Sequence, residues 1–265
     1  MGLYPVFRDL QSRFGALLEA KVSAQRALRR LRKIPFEDDF RILGQLEIGD
    51  GLCLDVGGNR GQSIDAIRLM QPDCKIMSFE PSGLLSEALE RQSANDQKTQ
   101  IMNMGLGDEA GEYTLYTPFY RNFMYDGLAS FVEDEARQWL NMETVWRFNP
   151  DLLHIEKRSC KIAVLDELNL DPVFIKLDVQ GFERQVILGG RDTLARNKPL
   201  ILMENDKPGD ELLLEMGWRR TAYDPAGLRL DELGYNNTFY LHPESEAFAR
   251  LIGSHVEHRE PLAAE

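Results

Sequence analysis

The chain has 265 residues, of which 43% are hydrophobic, and it carries a formal net charge of −12. This length and apolar content suit one large domain whose core needs no disulfide bond or metal to hold it. An acidic chain is a poor partner for nucleic acid, because neutralising phosphates takes clustered cations. No apolar run approaches the roughly 18 residues of a membrane span, and nothing at the N-terminus resembles a signal peptide. A cytoplasmic protein with its three cysteines reduced is therefore expected.

The first segment, residues 1–46, is predicted to be helical and basic. Its apolar residues recur at helical spacing as far as Pro35, which ends the pattern. Residues 1–35 hold eight Lys or Arg against two Asp or Glu, and the run KVSAQRALRRLRK at 21–33 concentrates the cations. One interpretation is an amphipathic helix whose basic face is solvated and whose apolar face packs on the main domain or in a homodimer contact. The other is a helix that makes a peripheral contact with an anionic membrane.

Residues 47–243 alternate between apolar runs and helical patterns, which predicts one domain with a parallel β-sheet covered by helices. The buried strand candidates are 52–56, 75–80, 100–104, 173–179 and 199–204. Helices are predicted at 61–70, 83–93, 182–195 and 208–216. Exposed antiparallel strands are predicted at 112–117 and 159–165, and the last strands at 218–223 and 238–242. A short helix and a tail are expected over 244–265.

A glycine-rich turn follows the first strand candidate, in the stretch CLDVGGNRGQS at 53–63. A chain that turns through Gly57, Gly58 and Gly61 into a helix presents bare backbone amides to a ligand. A dinucleotide site would need the order G-x-G-x-x-G, whereas this chain has G-G-N-R-G, which counts against a nicotinamide-dependent oxidoreductase. The D-x-G-x-x-x-G spacing of Asp55, Gly57 and Gly61 instead matches the loop with which class I methyltransferases bind S-adenosylmethionine (SAM).

Two further turns belong to the same predicted cofactor site. Glu80 ends the second strand candidate in SFEPS, where an acid can accept hydrogen bonds from both ribose hydroxyls. Asp108 follows the third strand, where it either accepts from the adenine amino group or is an ordinary turn aspartate. Asp55 and Glu80 also have structural alternatives, as a helix cap and in an ion pair. The predicted cofactor contacts are Asp55, Gly57, Asn59, Gly61, Glu80, Pro81, Asp108 and Asp178.

Asp178 and Glu204 end the fourth and fifth parallel strand candidates, over the crevice in which such sheets bind ligands. One interpretation makes one of the two a general base, with its pKa raised by its neighbour and by burial. Another makes Asp178, Glu204 and Asn205 an all-oxygen site for Mg²⁺. A third leaves Asp178 to orient the cofactor and Glu204 to cap a turn. Lys176 points to the same side as Asp178 and either pairs with an acid or approaches the acceptor.

The least regular stretch, residues 117–158, is rich in aromatic residues. Aromatic faces suit sugar rings, and arginines suit acidic groups, so this stretch is predicted either to form the acceptor pocket or to be a lid whose aromatics pack on each other. The candidate residues are Phe119, Tyr120, Arg121, Phe123, Tyr125, Ser130, Trp139, Trp146 and Arg147.

Together these motifs resemble the FkbM family of SAM-dependent methyltransferases. The resemblance covers about 50–242 and rests on five motifs in the family's order, LDVGGNRGQS, SFEPS, GLGDEAGEYTLY, VLDELNLDPVFIKLDVQGFERQVILGG and KPLILMEN. Gln180 departs from the acidic residue that is common in the family, and Gly58 departs from the usual alanine.

The resemblance implies an α/β, Rossmann-like class I methyltransferase fold with a mostly parallel seven-stranded sheet and helices on both faces. It also implies SAM as cofactor and methyl transfer to a hydroxyl of a sugar, polysaccharide, glycolipid or related natural product. The alternative is a non-catalytic subunit that keeps this fold and uses the basic helix for assembly or membrane docking.

Overall fold

The structure is a computed structural model that describes residues 12, 26, 28, 29, 31–225 and 227–253. Its strands are β1 (Leu52–Val56), β2 (Lys75–Phe79), β3 (Thr99–Met102), β4 (Gly105–Gly107), β5 (Gly111–Tyr120), β6 (Phe123–Met124), β7 (Leu153–Val164), β8 (Pro172–Leu177), β9 (Leu200–Glu204), β10 (Arg219–Asp224), β11 (Gly227–Leu230) and β12 (Asn237–Leu241). Its helices are α1 (Gln62–Met70), α2 (Gly83–Ser93), α3 (Glu133–Gln138), α4 (Glu183–Gly189), α5 (Arg191–Asn197), α6 (Lys207–Glu215) and α7 (Glu246–Phe248).

The centre of the described chain is an eight-stranded sheet in the order β11-β10-β12-β9-β8-β1-β2-β3. The five neighbouring strands β9, β8, β1, β2 and β3 are parallel, whereas β12 pairs antiparallel with both β9 and β10. The predicted α/β fold with a mostly parallel sheet is confirmed, and β11 adds one strand to the seven expected. Apolar clusters cover both faces of the sheet, which is why its central strands read as continuous apolar runs.

The predicted helix over 182–195 is wrong as a single element. It breaks into α4 and α5 at Gly190, which adjoins a second glycine and lies against the side chain of Leu165. Glycine is a poor helix former, so two in succession favour a break. The other three predicted helices are confirmed to within a residue or two at each end.

A second, four-stranded sheet has the order β4-β7-β5-β6. Its long antiparallel pair, β5 and β7, contains the predicted strand 112–117 and all but the last residue of 159–165, and it extends both strands into the 117–158 stretch. The third buried strand candidate, 100–104, is shorter than predicted, because the chain leaves the main sheet after β3 and pairs with β7 through β4. This crossing brings β4 and β5 close to the carboxyl ends of β1 and β2, since residues of all four strands line one cleft.

The predicted N-terminal helix lies mostly outside the described residues, although those described at 12, 26, 28, 29, 31 and 32 are helical. The join at 34–46 contains a 3₁₀ helix, Asp38–Gln45, whose buried Phe40, Ile42 and Leu43 pack into the main core. Residues 254–265 of the predicted tail also lie outside the described part. Among the described residues, no helix has the length and apolarity of a membrane span. The three cysteines are buried free thiols.

Candidate active site

A cleft of about 260 Å³ opens at the carboxyl ends of β1, β2 and β8. The three strand ends and the glycine turn form its floor. Residues just before the 3₁₀ helix and the edge of the 117–158 stretch form its rim. The residues that line it include Phe36, Glu37, Gly57, Gly58, Asn59, Gln62, Glu80, Pro81, Leu85, Met124, Asp126, Ser130, Phe131, Lys176, Asp178 and Gln180.

The glycine turn is held between β2 and β8. The amides of Gly57 and Gly58 both donate to the carbonyl of Phe79, at 3.0 and 3.1 Å. Gly57 has φ +90°, and a Cβ on it would lie 1.9 Å from the carbonyl oxygen of Asp178. Only glycine fits this position, and the resulting turn brings the backbone of Gly57–Asn59 to the wall of the cleft.

Gly61, also a predicted cofactor contact, is not among the residues that line the cleft. It precedes α1 with φ 81° and ψ 21°, a left-handed conformation that reverses the chain into the helix. Its carbonyl faces the N-terminal segment, where it accepts a hydrogen bond from the Arg26 guanidinium at 3.2 Å. Gly61 therefore sets the conformation of the turn from the side that faces away from the cleft.

Asp55, another predicted cofactor contact, lies beneath the surface of the cleft, because its side chain is 0% exposed. The hydroxyl of Ser78 donates to its carboxylate at 2.7 Å, beneath the glycine turn. Burial raises the pKa of Asp55. The pair also accounts for Gly58, where alanine is usual, because a Cβ there would lie 2.4 Å from the Ser78 hydroxyl oxygen.

Glu80 lies in the cleft wall at the tip of β2, beside Pro81. One carboxylate oxygen accepts from the backbone N–H of Asn59 and the other from that of Ser82, both at 2.8 Å. The two hydrogen bonds lower the pKa of Glu80, but burial has the larger effect and raises it to about 7. Each oxygen keeps a lone pair for a further donor, so the fixed carboxylate fits the paired hydroxyls of an adenosyl ribose.

Asp108, the predicted adenine contact, is exposed and lies outside the lining of the cleft. The cause is the packing of β4 against α4, because a Cβ on Gly189 would lie 1.9 Å from the carbonyl oxygen of Gly107. The turn that follows β4 therefore points to solvent. Gly105 and Leu106 line the cleft in its place.

Asp178 lines the cleft, and its carboxylate contacts the buried ammonium of Lys176. The side-chain amide of Gln180 donates to Asp178 Oδ1 at 3.0 Å and to Glu204 Oε2 at 2.8 Å. Burial alone would raise the pKa of Asp178, but the Lys176 charge holds it below its ordinary value. Burial and the charge of Asp178 raise the pKa of Glu204 to about 8. Of the two carboxylates, Glu204 therefore holds a proton more readily than Asp178 does.

The predicted Mg²⁺ site does not fit these residues. The Asn205 side chain donates to the carbonyls of Gly234 and Tyr235, at 2.9 and 3.3 Å, and accepts from Thr238 Oγ1 at 2.7 Å. Its oxygen is thus turned away from Asp178 and Glu204, whose own oxygens face an ammonium and an amide N–H group. No cluster of three or more metal-binding side chains occurs among the described residues.

Glu37 lines the cleft but was missed as a site residue. It lies just before the 3₁₀ helix and accepts a hydrogen bond from the Asn237 amide at 3.0 Å. Burial raises its pKa, with the nearby Lys176 acting in the opposite direction. Glu37 belongs to the irregular join at 34–46, and no strand end or turn motif in the sequence indicates its position.

The aromatic residues predicted for an acceptor pocket pack largely on each other. Tyr120 and Tyr125 are buried in a separate cluster with Leu140 and Val145, and the Phe119 ring stacks on His154. Of the candidates in this stretch, Ser130 lines the cleft. This arrangement supports the second interpretation, a lid.

The lid is attached on both sides of the cleft. Asp126 forms an ion pair with Arg60 of the glycine turn. On the other side, the ring of Phe131 packs against that of Phe182, with the ring centroids 4.8 Å apart. Phe182 lies two residues after Gln180 in the chain. The lid edge is therefore held both at the glycine turn and at Phe182, which follows the segment that carries Asp178 and Gln180.

Residues 55–236 match the family model described as the methyltransferase FkbM domain. The chain is 24% identical over 164 residues to the 2-O-methyltransferase NoeI of Sinorhizobium fredii, covering 60% of this chain and 65% of NoeI. It is 28% identical over 182 residues to the AMB antimetabolite synthetase AmbE of Pseudomonas aeruginosa, covering 60% of this chain and 8% of AmbE. It thus spans less than two thirds of either relative.

A solved structure of the methyltransferase FkbM from Methylobacillus flagellatus KT aligns with a TM-score of 0.47 and 13% identity, over 75% of this chain and 45% of that one. The family model covers well over half of the present chain and includes both the glycine turn and the Asp178–Glu204 pair. This protein therefore belongs to the FkbM family of methyltransferases, which implies SAM as its cofactor.

Proposed function

We propose that this protein methylates a hydroxyl oxygen of a carbohydrate or a related polyhydroxylated natural product. When bound, SAM supplies an electrophilic methyl group. Glu80 would accept hydrogen bonds from the ribose hydroxyls, and the Gly57–Asn59 backbone and Pro81 would enclose the cofactor. The similarity to NoeI, which is named a 2-O-methyltransferase, supports oxygen as the acceptor atom.

The observation that carries the proposal is the carboxylate pair formed by Asp178 and Glu204. An alcohol must lose its proton before or during attack, whereas a neutral amine already has a free lone pair. Asp178 faces the cleft, and its bridge to Glu204 through Gln180 makes the two carboxylates one proton-accepting unit. Such a unit is useful for an oxygen nucleophile.

The end of the cleft near Asp178 also suits a polyhydroxylated acceptor. Glu37, Asp178 and Gln180 present carboxylate and amide oxygens, which accept hydrogen bonds from hydroxyl groups. Phe36 lies beside them with 44% of its surface exposed, and a flat aromatic face of this kind can stack on a sugar ring. This combination favours a neutral sugar over a strongly anionic one at this end.

The experiment is incubation of the purified protein with methyl-labelled SAM and defined acceptors, namely sugars, nucleotide sugars and glycolipid extracts. We expect the label in an O-methyl group, identified by mass spectrometry and NMR. Asp178→Asn should lower the rate by about 10²-fold or more, while S-adenosylhomocysteine (SAH) still binds. The matched control is Asp171→Asn, which removes an exposed acid at the opposite end of the same strand.

Label recovered on nitrogen or carbon would contradict the proposal. Binding of SAH without transfer to any acceptor would contradict it as well and would favour the non-catalytic alternative. Equal rates for the Asp178→Asn and Asp171→Asn variants would remove the proposed role of the carboxylate pair while leaving the methyltransferase assignment intact.

A further inference from the structure

A second cavity of about 480 Å³ adjoins the cofactor cleft. It lies between α1, α2 and the described part of the N-terminal segment, and it is larger than the cleft itself. The two share lining residues, so a molecule could extend from one into the other. The shared residues are Phe36, Asn59, Gln62, Leu85 and Met124.

The wall of this cavity is mostly apolar. Its side chains come from the 34–46 join, α1, α2 and β6 and include Ile34, Ala66, Leu69, Leu84, Leu85, Ala88 and Met124. Ile34 and Leu84 are 41% and 44% exposed and line the same cavity, so they form part of one exposed apolar patch. An apolar ligand group would remove this surface from water.

The cations of the cavity differ in their partners. Arg26 is engaged by Asp65 and Gln92, and Arg60 by Asp126. The guanidinium of Arg29 instead lies 5.1 Å from the centre of the Phe36 ring and has no acidic partner among the described residues. Among the described residues of the cavity, it is therefore the guanidinium best placed to pair with an anion, because charge-assisted hydrogen bonds to carboxylate or phosphate are among the strongest that arginine makes.

We propose that this second cavity binds an apolar extension of the acceptor that carries one anionic group, which pairs with Arg29. The acceptor is then amphipathic, with its sugar hydroxyl near Asp178, its apolar part against Leu69 and Leu84, and Phe36 between the two regions. The acceptor assignment rests on the proposed function, whereas the binding of an anionic amphiphile at this cavity does not.

The test is calorimetric titration of the full chain with decyl phosphate below its critical micelle concentration, without SAM or acceptor. Decyl phosphate should bind at least about tenfold more tightly than inorganic phosphate or decanol, because neither of these supplies both contacts. Arg29→Gln should weaken binding by about tenfold. The matched control, Arg41→Gln, removes an exposed arginine that pairs with Asp38 outside the cavity and should bind normally.

A second variant, Ala88→Phe, fills the cavity without removing a charge and should also weaken binding by about tenfold. Unchanged SAH binding and unfolding temperature would show that each variant is folded. The proposal is overturned if wild-type protein does not bind decyl phosphate, or if either Arg29→Gln or Ala88→Phe binds it as tightly as wild type. Failure to detect methyl transfer would bear on the proposed function alone, because this titration involves no turnover.

Discussion

The backbone N–H of Asn59 donates to the Glu80 carboxylate across 2.8 Å, which joins the glycine turn directly to the tip of β2. With Ser82 on the other oxygen, the carboxylate is fixed in position. Burial nevertheless raises its pKa to about 7. Ribose hydroxyls donate best to an ionised carboxylate, so protonation of Glu80 should compete with cofactor binding.

The first prediction is that affinity for SAH falls as the pH falls through 7. Because the pKa of Glu80 is raised, the group is mostly ionised at pH 8 and mostly protonated at pH 6. If the ionised form alone accepts both hydroxyls, the Kd for SAH should be about tenfold higher at pH 6 than at pH 8. Isothermal titration calorimetry across this range measures the change directly.

Glu80→Gln supplies the control for this pH dependence. It should bind SAH weakly at every pH and show no step near 7, whereas Glu112→Gln, at an exposed position on β5, should behave as wild type. A wild-type Kd that stays constant between pH 6 and 8 would rule out an ionised Glu80 as the ribose acceptor.

The second prediction concerns Gly57, which has both a left-handed backbone and a close neighbour. Gly57→Ala would place a Cβ 1.9 Å from the Asp178 carbonyl oxygen, so either the glycine turn or the end of β8 must move. We expect SAH binding to be lost and the unfolding temperature to fall. Calorimetry and thermal unfolding followed by circular dichroism are the measurements.

Gly181→Ala separates backbone strain from steric clash. Gly181 has φ +91°, but a Cβ there meets nothing within 4 Å. Its cost should therefore be limited to the left-handed conformation, about 1–2 kcal/mol, with SAH affinity retained. If the two variants lose SAH affinity equally, the close approach of Gly57 to β8 is not what forms the cofactor wall.

The third prediction is that the methyl-transfer rate rises with pH up to about 8. Below this pH the carboxylate pair already holds one proton. The contact with Lys176 makes the ionised Asp178 a weak base on its own. Once Glu204 loses its proton, the pair can accept one from the acceptor hydroxyl. The measurement is kcat between pH 6 and 9 with saturating SAM.

Glu204→Gln should remove this step, because the remaining carboxylate titrates well below the range. We expect its kcat to be lower by about 10²-fold and flat from pH 6 to 9, with the Kd for SAH unchanged. The rate of the wild-type enzyme should also be insensitive to EDTA, since the donor set does not fit Mg²⁺. A wild-type pH profile that is retained in Glu204→Gln would assign the titration to another group.

The sequence correctly predicted which acids lie at the carboxyl ends of the parallel strands. Glu80, Asp178 and Glu204 lie at the ends of β2, β8 and β9. These strands are parallel, so their carboxyl ends lie at one edge of the sheet. Asp55 follows the same logic but is buried, because its side chain points into the pairing with Ser78 across β1 and β2. Such a direction depends on the register between two strands, which the pattern of a single strand does not contain.

Residues outside strand ends were harder to predict. Asp108 lies in a turn motif that suited adenine, but the packing of β4 against α4 turns it to solvent. Glu37 reaches the cleft from an irregular join, where tertiary contacts alone set the chain direction. The aromatic residues of the lid have the composition of a sugar-binding surface, but they pack into a cluster of their own, which removes them from contact with a ligand.

The last prediction is that Arg26 positions the cofactor turn. Its guanidinium donates to the carbonyls of Arg60 and Gly61, at 3.1 and 3.2 Å, and also engages Asp65 and Gln92. It thereby connects the N-terminal segment to the glycine turn, α1 and α2. Arg26→Ala should raise the Kd for SAH by about fivefold, the equivalent of roughly one net hydrogen bond, through a looser turn.

Arg32→Ala is the matched control, because Arg32 belongs to the same basic run but is exposed and lies outside both cavities. It should leave the Kd for SAH unchanged, and the kcat of Arg26→Ala at saturating SAM should stay close to that of wild type, since Arg26 does not touch the acceptor end of the cleft. If the 21–33 run acts only by its charge, as a membrane contact or assembly surface would, the two variants should instead behave alike. Equal Kd values for both variants would therefore separate the basic segment from the cofactor site and leave the charge-based roles in its place.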